Sequence, residues 1–224
     1  MKERPKITPV SIHDDDWDRF RSYFEEVENL PRIEIAAKRL KILRPKILLD
    51  IGCGPGHLAK TIKMSISKIE IHGIDFSPVA VEHAKTIMDK CWHLNLDIED
   101  IPAKSNSYDA IVCLEVLEHV YDINHVLCEM RRVLKPSGRI LISVPNLAFW
   151  RYRLQLMLGQ VPHDEVLNEQ HIRVFNLSTL QARVERSGLK LEQCWGYGVR
   201  IQKLAYHFPQ LFSSTLFVEA TRGK

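Results

Sequence analysis

The chain has 224 residues, 45% hydrophobic and 26% charged, with a formal net charge of +3, which suits one globular unit with an ample core and gives no compositional argument for a dedicated nucleic-acid binder. Five cysteines, Cys53, Cys91, Cys113, Cys128 and Cys194, are odd in number and lack a Cys-x-x-Cys pair, which indicates neither a disulfide framework nor a zinc site. With no apolar run long enough to span a bilayer and no signal-peptide core, they read as reduced thiols of a cytoplasmic protein that has no membrane partner.

Asp14, Asp15 and Asp16 can cap a first helix that carries Trp17, Phe20, Tyr23, Phe24 and Val27 at helical spacing. Pro31 opens a second helix, with Ile33, Ala36, Ala37, Leu40 and Leu43 on one face and Pro45 closing it. Together, residues 1–45 form a helical cap before a core that occupies 46–224. From Lys46 strands and helices alternate. Ile47 to Ile51 is a buried strand that ends in a glycine cluster, followed by a helix through Leu58, Ile62 and Ile66. Ile69 to Ile74 is the next strand, and Ser77 and Pro78 start a helix through Val81, Ala84 and Met88. Strands at Trp92 to Leu96 and Ala110 to Leu114 follow. Asp122 caps a helix that stops at Pro136, Ser137 and Gly138, before a strand from Arg139 to Val144. Residues 146–176 are a long insertion, and a connection of that length is usually functional. Ser178 caps a last helix ending at Gly188, and strands at Lys190 to Trp195 and Thr215 to Ala220 complete the pattern. Mostly apolar strands alternating with helices make an α/β fold with a parallel sheet covered on both faces, whose ligand lies at the carboxyl ends of the strands.

The residues at those ends suit a nucleoside. Gly52, Gly54 and Gly56 allow positive φ and a close approach of ligand to backbone. Asp50 ends the first strand, Asp75 the second, and Asp97 follows the third. A carboxylate in the position of Asp75 can accept both hydroxyls of a ribose. His57 stands where a dinucleotide fingerprint needs its last glycine, and no Lys-Ser/Thr follows as in a phosphate-binding loop, so a pyrophosphate is disfavoured.

Five ordered segments resemble the class I S-adenosylmethionine-dependent methyltransferases: Leu49 to Gly56, Gly73 to Ser77, Asp97 to Pro102, Tyr108 to His119 and Leu134 to Gly138. The resemblance covers roughly Lys46 to Pro145 and, more loosely, the last two strands. It implies a Rossmann-like, seven-stranded, mostly parallel sheet with helices on both faces and its last strand antiparallel. It also implies S-adenosylmethionine as cofactor. Asp75 would bind the ribose, Asp97 and Ile98 would lie at the adenine, and Gly52 and the backbone near Leu114 would hold the methionine part. Asp50, Gly54, Gly56 and Phe76 complete the expected cofactor set.

Methyl transfer from a sulfonium needs positioning, and needs a base only if the acceptor loses a proton. Glu115, Glu118 and His119 have the spacing i, i+3, i+4, which on a helix places all three on one face. Glu-x-x-Glu-His with His171 is similar to small-RNA 3′-end 2′-O-methyltransferases, and its first part to ubiquinone-pathway O-methyltransferases. That resemblance implies a magnesium-type ion held by Glu115, Glu118, His119 and His171. The simpler expectation is that Glu-His only shapes the loop, as in metal-independent relatives. His119 or His171 can also act as a base without metal, His171 from an extended lid in which His171, Arg173 and Phe175 alternate. His163, Asp164 and Glu165 precede that lid, and Arg151 and Arg153 could meet an acidic substrate. The expected activity is methylation of a small-molecule acceptor, at oxygen. The competing readings are an RNA 3′-end 2′-O-methyltransferase, disfavoured by the low charge, and a non-catalytic S-adenosylmethionine-binding regulator.

Overall fold

A computed structural model describes residues 31–162, 171–197 and 202–223. The aromatic helix expected at Trp17 to Val27, and His163, Asp164 and Glu165, lie outside the described residues. Helix α1 (Pro31–Leu43) leads into strand β1 (Ile47–Ile51), helix α2 (His57–Lys63), strand β2 (Glu70–Asp75), helix α3 (Pro78–Ala84) and strand β3 (Lys90–His93). Strand β4 (Tyr108–Leu114), helix α4 (Ile123–Val133) and strand β5 (Leu134–Pro145) follow. The insertion contains helix α5 (Trp150–Met157), after which come helix α6 (Leu177–Arg186) and strand β6 (Leu189–Tyr197). Two short helices, α7 (Gln202–His207) and α8 (Pro209–Phe212), precede strand β7 (Thr215–Arg222).

The seven strands form one sheet in the order β3-β2-β1-β4-β5-β7-β6. All pairs are parallel except those of β7, which runs antiparallel to both β5 and β6. Strand periodicity divides the core. Leu49, Ile51, Ile111, Cys113, Ile140 and Ile142 face one side with α4 and α6, while Leu48, Ile71, Ala110, Val112 and Leu141 face α1 and α2 on the other. Strand order reverses between β1 and β4, and the crevice at that switch point is where such sheets take ligands. No described helix is long and apolar enough to cross a membrane.

Three boundaries differ from the pattern reading. The α6 cap is Asn176, not Ser178: Asn176 accepts from the Thr179 N–H, Thr179 Oγ1 accepts from the Asn176 N–H, and the Ser178 hydroxyl is spent on Asn176 Oδ1. Strand β5 begins at Leu134, which pairs with Tyr108, and Pro136 to Gly138 form an irregularity before Arg139 pairs with Ala110. Strand β3 begins two residues and ends three residues earlier than expected, because its register with β2 runs from His72 opposite Lys90 to Asp75 opposite His93.

Two buried carboxylates tie elements together. Glu219 of β7 is 2% exposed and accepts from Arg39 of α1 at 2.5 and 3.0 Å, with Arg139 Nε at 3.3 Å. Glu129 of α4 accepts from Arg132 at 2.6 Å and from the Ile101 N–H at 2.8 Å, while Arg132 also donates to the carbonyls of Ile101 and Ala103. Arg132 holds the Glu129 carboxyl below its ordinary value of 4.5. A carboxyl whose folded pKa is depressed contributes stability that is present above the unfolded value and lost as pH falls through the folded one. Glu129→Gln is therefore expected to cost about 1–2 kcal/mol in urea unfolding at pH 7. The difference from the unsubstituted chain should shrink progressively below pH 4.5; a difference independent of pH would show that charge is not its source.

Candidate active site

A cavity of ≈ 820 Å³ opens over the carboxyl ends of β1, β2, β3 and β4. Its floor begins with the glycine turn after β1. Gly52, Gly54 and Gly56 all have positive φ, 69°, 52° and 94°, and Gly56 is the N-cap of α2. At Gly52 the need for glycine is double, since a β-carbon there would lie 2.3 Å from Val116 Cγ2. The N–H groups of Gly52 and Cys53 both donate to Ile74 O, at 2.8 and 3.0 Å. Asp75 completes the tie: Oδ2 accepts from the Gly54 N–H at 2.8 Å and Oδ1 from the Ser77 N–H at 2.9 Å.

Asp50, Gly52, Gly54, Asp75, Phe76, Asp97 and Leu114 of the expected cofactor set line this one cavity. Asp50 is 4% exposed, and burial, then the nearby Asp75 charge, holds its carboxyl well above the ordinary range. Asp97 uses Oδ1 to accept the Asp122 N–H at 2.8 Å, which fixes the loop after β3 against the start of α4. Two expected residues are not among those lining the cavity. Ile98 is 78% exposed and points to solvent, its place on the wall being taken by Leu96, and Gly56 is packed behind the turn against Ile87 and Ala84. Arg32 and Ile33 of α1, His57, His93, Glu99 and Tyr121 also line the cavity. His93 carried a usable signal, its place at the carboxyl end of a parallel strand; Arg32 carried none, because its approach depends on how α1 packs.

Beyond β4 the expected helix from Glu115 to His119 is absent. Glu115 takes a left-handed backbone, φ 54°, and its N–H donates to Ser143 O at 3.1 Å. One turn follows, closed by the His119 N–H to Val116 O at 3.0 Å. Since Glu115 lies outside helical geometry, the three side chains do not share a face. Its carboxylate accepts from Ser143 Oγ at 2.8 Å, while Glu118, His119 and His171 gather with ligand atoms within 4.8 Å of one another. His171 is delivered by backbone: the N–H groups of Ile172 and Arg173 donate to Glu118 O at 3.0 and 3.2 Å. The Arg173 guanidinium donates to the carbonyls of Val120 and Tyr121, so it fastens this segment. Arg153 likewise donates to Ala148 O at 2.7 Å, while Arg151 is exposed. The His119 and His171 rings meet edge to face with centroids 4.9 Å apart, and His119 lines the cavity. Glu118 is fully buried, and neither carboxylate oxygen has a hydrogen-bond partner among the described residues. Burial, then the Glu115 charge, drives its carboxyl well above the ordinary range.

A family model described as a methyltransferase domain matches residues 18–194. The chain belongs to the class I S-adenosylmethionine-dependent methyltransferases. It is 28% identical over 149 residues, 66% of its own length, to a protein of Mycolicibacterium smegmatis named as a probable S-adenosylmethionine-dependent methyltransferase. A ubiquinone biosynthesis O-methyltransferase of Chromobacterium violaceum is 28% identical over 195 residues, 81% of each chain. The chain spans 54% of the length of the mycobacterial relative, and between 48% and 63% of several other ubiquinone biosynthesis O-methyltransferases. Among solved structures, a 1,6-didemethyltoxoflavin-N1-methyltransferase of Burkholderia thailandensis, with bound S-adenosylhomocysteine, matches with a TM-score of 0.65 at 16% identity. That match covers 100% of this chain and 94% of the other, and it shows the fold.

The methyltransferase glycine turn makes a testable demand. Gly52→Ala must relieve both the clash with Val116 and the left-handed backbone, together about 2–4 kcal/mol. Val116→Ala in the same chain should recover the steric part and leave about 1 kcal/mol, measured by urea unfolding in a double-mutant cycle. Full recovery would show that the backbone at Gly52 is unstrained.

Proposed function

We propose that the chain transfers a methyl group from S-adenosylmethionine to an oxygen of a small-molecule acceptor, with Glu118, His119 and His171 managing the proton and charge of that oxygen. The observation that carries this reading is the buried Glu118 carboxylate, without a hydrogen-bond partner among the described residues and close to two imidazoles, beside the cofactor cavity. A buried charge left alone costs several kcal/mol, so such a carboxylate calls for a proton or a cation. The relatives named as ubiquinone biosynthesis O-methyltransferases support oxygen as the methylated atom. The cavity, at ≈ 820 Å³, falls within the size range of small-molecule sites. A cytoplasmic location fits the five free cysteines.

The cofactor supplies a methyl group on a sulfonium, an electrophile that carries its own leaving group. The chain positions the partners. In this reading the Asp75 carboxylate receives the ribose hydroxyls, Gly52, Gly54 and the end of β4 hold the methionine part, and Leu96 and Asp97 flank the adenine. Arg32 and Ile33 place α1 over the acceptor side, as a cap. His119, the member of the trio that lines the cavity, takes the hydroxyl proton as the oxygen attacks. His171 supports it edge-on, and the turn at Glu118 holds both.

The same trio fits a divalent cation by its chemistry. One carboxylate and two imidazoles form a mixed oxygen and nitrogen set, which suits manganese or zinc better than magnesium, a cation that favours oxygen. An ion held there would lower the pKa of an acceptor hydroxyl.

Two experiments test this. Asp75→Ala should weaken S-adenosylmethionine binding more than ~tenfold by calorimetry, since each hydrogen bond to a carboxylate contributes about 1.5–3 kcal/mol; unchanged affinity would remove the ribose assignment. After chelation, added manganese or zinc should raise the melting temperature of the unsubstituted chain but not that of Glu118→Gln. Without cation, Glu118→Gln should be at least as stable as its parent, because a neutral amide is buried there with no need of a proton or a cation. Equal shifts in both proteins would dismiss the cation and leave His119 as the base. Methyl incorporation into a metabolite extract with none into short RNAs is the result expected of the activity; incorporation into RNA alone would overturn the small-molecule reading.

A further inference from the structure

A cluster of three sulfur atoms lies beneath the glycine turn, and methyl transfer has no use for it. Cys53 belongs to the turn itself, between Gly52 and Gly54, and is 6% exposed. Cys91 lies on β3, in register with Gly73 of β2. Gly73 determines the arrangement. A β-carbon built on it would lie 2.5 Å from Met88 Sδ and 2.8 Å from Cys53 Sγ, so the bare backbone leaves the gap in which these sulfurs meet. The Cys91 thiol donates to Met88 Sδ at 3.5 Å, and the Cys53 thiol, beside the same gap, donates to Gly54 O at 3.5 Å. The pair is 38 positions apart in sequence, which is why no cysteine motif announces it.

The two thiols have different characters. Cys91 is partly exposed; the Cys53 thiol, the Gly73 backbone and Lys85 together favour its anion and bring its pKa below the ordinary value. Cys53 is pushed the other way, first by the neighbouring Cys91, then by burial and by the nearby Asp50 and Asp75. An accessible thiol with anionic character beside a protonated neighbour is the arrangement of a reactive and a resolving cysteine.

We infer that Cys53 and Cys91 form a modification site at which a hydroperoxide joins them in a disulfide, disabling the glycine turn for cofactor binding. The inference rests on the proposed seat of the cofactor against that turn. In the first step Cys91 sulfur attacks the outer oxygen of the hydroperoxide, the O–O bond breaks, and the thiol proton passes to the departing alkoxide to give an alcohol. Cys91 is then a sulfenic acid. Cys53 sulfur next attacks Cys91 sulfur and expels hydroxide, which takes the Cys53 proton and leaves as water. Two thiols have lost two electrons to one hydroperoxide.

The effect on the turn follows from geometry. A disulfide holds its sulfurs about 2.05 Å apart, well inside any non-bonded contact, and so draws Cys53 toward β3. Cys53 is fixed between two left-handed glycines, with its N–H on Ile74 O, so the displacement passes to Gly52 and Gly54 on the cavity floor.

The test uses the purified full chain, reduced and then treated with hydrogen peroxide, with peptide mapping and S-adenosylmethionine calorimetry on the same sample. The expected result is a Cys53–Cys91 linked peptide, an affinity lower by at least ~tenfold, and recovery with dithiothreitol. Reduced Cys91→Ser should bind as its parent does, and it should keep that affinity after peroxide. Cys53 still open to alkylation after peroxide, a linked form that binds like the reduced one, or equal loss in Cys91→Ser would each overturn the inference. Failure of the cofactor seat is separate: it would appear in the reduced Asp75→Ala chain, whereas the linked peptide reports on the thiols alone.

Discussion

The donor side of this active site depends on the Asp75 carboxylate. Its two oxygens accept the N–H groups of Gly54 and Ser77, so one side chain at the end of β2 fixes both the turn after β1 and the cap of α3. Glycines lose more conformational freedom on folding than any other residue, and a turn with Gly52, Gly54 and Gly56 would be loose without such anchors. The carboxylate and Ile74 O together give it one shape. Asp75 therefore acts first on its own chain, holding the turn that lines the cavity floor.

The acceptor side is built by different means. Glu115 enters a left-handed conformation at a cost of about 1 kcal/mol and is held there by the backbone and hydroxyl of Ser143 on the neighbouring strand. That reversal lets a single turn lower Glu118 into the core and turn His119 to the cavity. The insertion then comes back, pinned where Asn146 bridges Phe175 and where Ile172 and Arg173 bind Glu118 O. Donor-side residues are close in sequence to the strands that carry them. The acceptor side is assembled across the insertion, through backbone bonds that any residue type could make.

This difference explains what could be read from the amino acids. Strand β1 and helix α1 coincide with their predicted spans because apolar periodicity and prolines mark both. The seven-stranded sheet, with β7 antiparallel, also follows the family motifs. The helix expected from Glu115 to His119 failed because its spacing is helical while its first residue is held out of the helix by Ser143, 28 positions away. The exposure of the Ile98 side chain was not foretold, because a motif names a loop without saying which side chains turn inward. The meeting of His171 with Glu118 was expected from resemblance alone; nothing local to either residue foretells it.

Glu219 gives the order of assembly an unexpected importance. Helix α1, which contributes Arg32 and Ile33 to the cavity wall, is fastened through Arg39 to a strand 180 positions later. On the ribosome α1 emerges early, yet it cannot be fastened until β7 has entered the sheet between β5 and β6. The wall that α1 gives the cavity thus stays unfastened until β7 has been made and inserted.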